Sequence, residues 1–234
     1  MSIAAALGAG AKRVVSGLLP QDCGLCGAPS GDSPLCNACH GSLPRLPAAG
    51  CPQCALPVEG GAICGACLAR PPHFDTTHAA FRYTFPVDRL IQSFKYGHHL
   101  ALARFLAAEL AALGPAQADL VVPVPLADDR LAQRGFNQAL ELARPLARQL
   151  GVPMLMDGLR RARNTVPQAG LPWKERARNM RHAFECTADL AGRRVIVVDD
   201  VMTTGATLDE LARTIKMRGA VHVENRVAAR ALRD

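Results

Sequence analysis

Arg194-Val195-Ile196-Val197-Val198-Asp199-Asp200-Val201-Met202-Thr203-Thr204-Gly205-Ala206-Thr207-Leu208 decides the fold class of this 234-residue chain. Its four consecutive β-branched residues make an apolar run with the length and composition of a strand buried on both faces, as in a parallel sheet covered by helices. Asp199 and Asp200 follow at the carboxyl end, where open α/β sheets hold their ligands. Thr203, Thr204, Gly205, Ala206 and Thr207 then supply hydroxyls and amides just ahead of Leu208, where helical spacing begins. Free N–H groups at a helix start, beside a glycine that permits close approach, suit a phosphate. A plain strand–turn–helix with Thr207 as N-cap accounts for Thr207 and leaves two adjacent carboxylates unexplained. The competing phosphate fingerprints G-x-x-x-x-G-K-[ST] and G-x-G-x-x-G are absent.

Working outward, the same alternation of strand and helix recurs. Residues 79–85 alternate like a strand and residues 87–94 look helical. Residues 100–113 form an amphipathic helix stopped by Gly114-Pro115. Leu120-Val121-Val122-Pro123-Val124-Pro125 reads as a strand that its prolines convert into a loop. Residues 138–150 are helical despite Pro145, with short strands expected near Met154, over residues 182–186 and over residues 221–223. Such an order implies an α/β domain with a parallel sheet flanked by helices over residues 73–234.

The first third of the chain is different. Residues 1–20 read as an alanine-rich helix with Val14, Val15, Leu18 and Leu19 on one face, packed on the body rather than on a membrane. Eight of the nine cysteines then fall in four C-x-x-C pairs within residues 21–72. Cys23, Cys26, Cys36 and Cys39 repeat as Cys51, Cys54, Cys64 and Cys67, 28 residues on. A C-x-x-C turn aims two thiolates at one metal about 2.3 Å away, and two turns complete the tetrahedron of a structural Zn²⁺ site. The reading is a small zinc-ribbon module with two structural Zn²⁺ ions. Iron–sulfur binding or the loss of one zinc is the alternative; pairing of the knuckles within each repeat is favoured over interleaving between them, though spacing leaves both open. With few apolar residues, this segment depends on metal for its folding, on the order of 10 kcal/mol per site. Its charge over residues 21–72, two arginines against three acids, makes it a poor binder of phosphate backbones.

Apolar content of 49% with 20% charged residues is that of a soluble globular protein. No stretch of 18 apolar residues exists, and residues 3–7 have no positive segment before them, so neither a transmembrane helix nor a signal peptide is expected. With thiols kept reduced, the expected compartment is the cytoplasm, with peripheral attachment at the inner face of the membrane as an option. The net charge of +7 is concentrated between residues 158 and 184, where seven basic residues face one acid, Glu175. Cys186 reads as a buried thiol, His98 and His99 as surface residues, and Trp173 as either a packing anchor or a stacking platform for a base.

The central stretch resembles the ribose-phosphate motif of type I phosphoribosyltransferases, which bind 5-phosphoribosyl-1-pyrophosphate (PRPP). The resemblance implies that Asp199 and Asp200 take the ribose hydroxyls and residues 203–207 the 5′-phosphate, with Pro125 and Leu126 on the pyrophosphate loop and Mg²⁺ on the pyrophosphate itself. Tandem C-x-x-C ribbons ahead of such a domain resemble the ComF family of competence-associated proteins. Phe94-Lys95-Tyr96-Gly97, Val122-Pro123-Val124-Pro125-Leu126, Arg134-Gly135-Phe136-Asn137-Gln138 and Arg163-Asn164-Thr165-x-x-Gln168 with Arg176 and Asn179 also match it. Arg134, read as lying on a loop, and Arg176, in the mobile hood of this family, are the candidate catalytic residues that offset charge as pyrophosphate departs. Arg161, Arg163, Lys174 and Arg178 are the candidates for contact with a nucleic-acid backbone. Family membership implies a PRPP-binding protein linked to natural competence and DNA uptake, with other competence proteins as partners. One function is transfer of the phosphoribosyl group to an acceptor. The alternative is a non-enzymatic handler of single-stranded DNA that uses the pocket to sense a ligand or hold a DNA end.

Overall fold

The computed structural model describes residues 21–47, 49–96, 101–162 and 180–232. The expected helix over residues 1–20, His98, His99 and most of the basic segment, from Arg163 to Asn179, lie outside the described residues. The chain divides into two compact units, Met1–Pro44 and Arg45–Asp234. That division falls between the two cysteine repeats, so the second repeat shares a unit with the sheet.

In the first unit β1 (Gln21–Asp22) and β2 (Pro29–Gly31) form an antiparallel hairpin, followed by the short α1 (Asn37–Gly41). Among its described residues the buried apolar ones are Cys23, Leu35 and Leu43. So few among the described residues is consistent with a fold that leans on a bound metal.

The second unit opens with the second knuckle pair and α2 (Gly65–Ala69). Four parallel strands then follow: β3 (Thr76–Arg82), β4 (Leu120–Pro123), β7 (Arg194–Met202) and β8 (His222–Arg230), in the order β3-β8-β7-β4. Residues 195–198 are buried completely, as a run of β-branched side chains with no polar face requires. The helices of this unit are α3 (Val87–Tyr96), α4 (Ala101–Ala111), α5 (Asp128–Arg134), α6 (Gln138–Leu150) and α7 (Ala206–Lys216). The strand expected near Met154 is a single parallel bridge to Val121.

Four expectations need correction. The strand near residue 184 does not join the parallel sheet: β6 (Phe184–Cys186) pairs antiparallel with β5 (Leu159–Arg161). The final strand runs nine residues, not three. Its polar stretch Glu224-Asn225-Arg226 is buried: Arg226 Nε donates to Glu224 at 2.6 Å, its Nη atoms donate to the carbonyls of Leu110 and Gly114, and Asn225 Nδ2 donates to the Thr77 hydroxyl, while Asn225 Oδ1 has no partner among the described residues. Arg134 ends a helix rather than lying in a loop, and Gly135 closes that helix with φ of 75°, a conformation that favours glycine. Cys186 is half-buried rather than fully buried, its strand being too short to be covered on both faces.

Candidate functional site

The carboxyl ends of β3, β4 and β7 open on a cleft of about 620 Å³. Asp199 and Asp200 come to it from β7, Lys95 and Tyr96 from the last turn of α3, Arg130 and Arg134 from α5, Asn137 and Gln138 from the start of α6, and Arg161 from β5. Its position is the one that parallel α/β topology assigns to ligands.

One side is carboxylate. Asp200 is 7% exposed and pairs with Lys95, Nζ to Oδ2 3.0 Å. Burial works against the Lys95 ammonium, but the two aspartates outweigh it and hold its pKa above the ordinary lysine range. Asp199 keeps some exposed surface at the mouth, yet it lies among protein atoms. Lost hydration, with Asp200 alongside, pushes its carboxyl up to about 7, against the opposing pull of the Asp200 amide, Lys95 and Arg161.

The facing side is cationic. Arg130 is held below the ordinary arginine range by burial and then by Arg134. Burial, then Arg130, brings Arg161 down to about 10. Arg134 donates to Gln138 Oε1 at 3.0 Å and to the Tyr96 hydroxyl at 3.1 Å, with its guanidinium 5.1 Å from the Tyr96 ring centre. Arg130 Nη2 and Gln138 Nε2 are buried without a hydrogen-bond partner among the described residues. Three crowded guanidiniums and two unmet donors make this wall a place for an anion rich in oxygen acceptors.

Between the walls lies the turn after β7. Thr203 and Thr207 line the cleft, as do Pro125 and Leu126. Thr204, Gly205 and Ala206 instead border a smaller cavity, of about 220 Å³, on the side of Cys54 and Cys67. The Thr204 hydroxyl accepts from the Ala206 amide at 3.1 Å. Gly205 takes φ of 82°, and a Cβ there would stand 2.7 Å from Met202 Cε, so both conformation and space ask for glycine. The structure thus gathers Asp199, Asp200, Thr203, Thr207, Pro125, Leu126, Arg134 and Arg161 around one cleft. Arg163, Lys174, Arg176 and Arg178 lie outside the described residues.

Sequence reasoning gave no role to Lys95, Arg130, Gln138 or Tyr96. A signal for Arg130 existed: it stands four residues before Arg134, on the same helix face.

Both cysteine tetrads close within their own repeat, with the four Sγ atoms of each within 4.8 Å of one another. Cys26 and Cys36 Sγ are 3.8 Å apart, and Cys54 and Cys64 Sγ 3.6 Å. A tetrahedral Zn²⁺ with Zn–S near 2.3 Å sets its sulfurs about 3.8 Å apart, so the donor sets fit that ion. Backbone amides help in each repeat. Despite burial, N–H groups of Cys36, Leu25 and Cys26 bring Cys23 down to about 6. Those of Cys64, Cys54 and Gln53 likewise overcome burial and bring Cys51 down to about 7. The partner thiols move up: Cys39 to about 12 through its bonds to Cys26 and Cys36, and Cys54 to about 11 through burial. In each tetrad one thiol is thus easier to ionise than an ordinary cysteine and its partners harder, so metal binding would have to displace protons.

Cleft and tetrads together define a double zinc ribbon joined to a phosphoribosyltransferase domain. Residues 14–68 match the Double zinc ribbon domain family, and residues 137–231 match the Phosphoribosyl transferase domain family. The chain is 34% identical over 217 residues to DNA utilization protein YhgH of Salmonella typhimurium, across 88% of this chain and 95% of that protein. It is 33% identical over 209 residues to competence protein F of Haemophilus influenzae, across 84% and 90% respectively. Competence protein ComFC of Bacillus subtilis is 26% identical over 203 residues, across 80% of each chain. The chain belongs to the ComF family of competence and DNA utilization proteins. Among the described residues, no helix is long and apolar enough to cross a membrane.

Proposed function

We propose that the cleft binds PRPP. The observation that carries this reading is one cleft lined by two carboxylates, three guanidiniums and the hydroxyls of a turn that precedes a helix start. Carboxylates accept from the vicinal ribose hydroxyls, and Asp199 and Asp200 take that role. The turn at residues 203–207 takes the 5′-phosphate, where amide donors and the start of α7 favour an anion. Arg130, Arg134 and Arg161 face the pyrophosphate, which enters as its Mg²⁺ complex. When the bond at C1 breaks, charge grows on that leaving group, and guanidiniums already in place stabilise it without reorganising. The basic segment carrying Arg176 supplies further positive charge and presents the acceptor. The two tetrads hold one structural Zn²⁺ each, in the reducing cytoplasm.

Calorimetric titration with PRPP and Mg²⁺ tests this. Micromolar binding by the intact chain, lost in Asp199→Ala/Asp200→Ala, is expected. No heat from the wild-type chain, or equal heat from the double variant, would sink the idea.

A second reading rests on the names of the relatives and on the density of Arg160, Arg161, Arg163, Lys174, Arg176 and Arg178. In it the basic segment holds single-stranded DNA and the cleft receives its end. Affinity that falls steeply with salt, and is weakened in Arg176→Ala/Arg178→Ala, is the expected gel-shift result; unchanged affinity in that variant rules this surface out.

A further inference from the structure

We propose that Arg230 is a positioning residue that ties the second cysteine tetrad to the phosphate-binding turn, so that the ordered tetrad sets the geometry of that turn. The inference rests on the ribose-phosphate reading of the cleft. Arg230 ends β8 and is 2% exposed. Its Nε donates to the carbonyl of Cys54, a member of the tetrad, at 2.7 Å. Its Nη1 donates to the carbonyls of Met202, at 3.0 Å, of Thr203, and of Ala231, at 2.6 Å. One rigid guanidinium fork thus spans a metal knuckle and the first two peptides of the turn. Lysine, with a single nitrogen on a flexible stem, cannot hold both in fixed relation.

The consequence for the turn follows from peptide planarity. In a trans peptide the C=O and the next N–H point in opposite directions. Because the carbonyls of Met202 and Thr203 are drawn toward Arg230, the amides of Thr203 and Thr204 face the other way, free to donate to an anion. The cation behind these peptides is met by carbonyl dipoles and adds positive potential at the back of the turn. The knuckle is anchored independently. The Thr77 amide on edge strand β3 donates to the Pro52 carbonyl at 3.0 Å, and Cys51, Cys54 and Cys67 share a buried cluster with Phe74, Met202 and Leu208. A disordered second tetrad would release Arg230 and, with it, both peptides.

The test uses the full chain and two probes that engage different ends of the cleft. Ribose 5-phosphate needs the turn; inorganic pyrophosphate with Mg²⁺ needs the arginine wall. Arg230→Met is expected to weaken ribose 5-phosphate at least tenfold, to leave pyrophosphate within twofold, and to retain its metal. Arg230→Lys is expected to recover part of the loss, and Cys64→Ser to reproduce it. If wild type binds both probes and Arg230→Met binds ribose 5-phosphate equally well, the inference is overturned while the PRPP reading stands. If the variant loses both probes together, Arg230 supports the whole domain and the positioning role is overturned. If wild type binds neither probe, the PRPP reading fails and takes this inference with it. Should Arg230→Met not accumulate as folded protein, Arg230→Lys carries the test: an unequal loss of the two probes supports the inference, and no loss or an equal loss overturns it.

Discussion

The two cysteine repeats share one spacing, C-x2-C-x9-C-x2-C, and differ in what surrounds them. In the first, Cys23 is buried, Cys36 and Cys39 are half-buried and Cys26 is exposed, and among the described residues of the unit the buried apolar partners are Leu35 and Leu43. In the second, Cys51, Cys54 and Cys67 are buried at 1%, 7% and 7% exposure, within the cluster that includes Val197, Met202 and Leu208. Spacing specifies the metal chemistry. It does not specify how deeply the ligands are buried or which side chains surround them, because that depends on neighbours far away in sequence.

The largest effect expected from this difference is on stability. Cys64→Ser should destabilise the unit that contains the sheet by about 5 kcal/mol, roughly half of what a structural zinc site contributes to folding. Its melting transition should fall by about 10 °C or more. Cys36→Ser should unfold the first ribbon and leave that transition within about 2 °C. Calorimetric scans of the two variants decide it: equal shifts would mean that the burial of the second tetrad has no energetic counterpart.

A second way to sharpen the contrast is to perturb the cleft from its other side, away from the ribbon. Asp199, with its pKa raised to about 7, keeps a proton in the folded chain that the unfolded chain has already lost. Stability therefore falls as pH rises from about 4 to 7. The Asp199 carboxylate proposed to accept from ribose hydroxyls forms over the same range, so on that proposal ribose 5-phosphate should bind up to about tenfold tighter per pH unit up to 7 and level off above. The sugar phosphate itself titrates near 6, so the measurement is the difference between the profiles of wild type and Asp199→Asn. Parallel profiles would remove Asp199 from the site. A third, smaller contrast is kinetic. Under chelation, the first tetrad should lose its metal about tenfold faster, which needs only ~1.4 kcal/mol less to open locally; metal release followed in single-tetrad variants would show it.

The parts of this molecule legible in its sequence are those whose chemistry is contiguous. Residues 195–207 announce strand, carboxylates and turn in order, and each C-x-x-C pair names its own ligands. Lys95 and Arg230 were opaque for a common reason: their roles exist only through sheet register and helix packing. Arg230 sits in Val227-Ala228-Ala229-Arg230-Ala231-Leu232, where no spacing or motif singles it out. Only the parallel pairing that sets Asp199 beside Val227 and Met202 beside Arg230 brings it under the turn. The length of β8 was hidden likewise, since Glu224 and Arg226 look solvated until each is seen as the other's partner.

The smallest predicted effect probes the turn that Arg230 joins to the second tetrad. Gly205→Ala places a methyl group 2.7 Å from Met202 Cε at φ of 82°. The thioether end can shift aside, so the cost is mainly the left-handed backbone, about 1 kcal/mol. Ribose 5-phosphate affinity should fall roughly fivefold, as about 1 kcal/mol of strain is passed to the bound state. In a Cys64→Ser background the same substitution should cost less, because neighbours that share one constraint are not additive; the binding cycle over the four chains measures that coupling. A Gly205→Ala chain with wild-type affinity would mean that the ligand reads the side chains of Thr203 and Thr207 and not the backbone between them. The link from the second tetrad through Arg230 would then act on peptides that the ligand never touches.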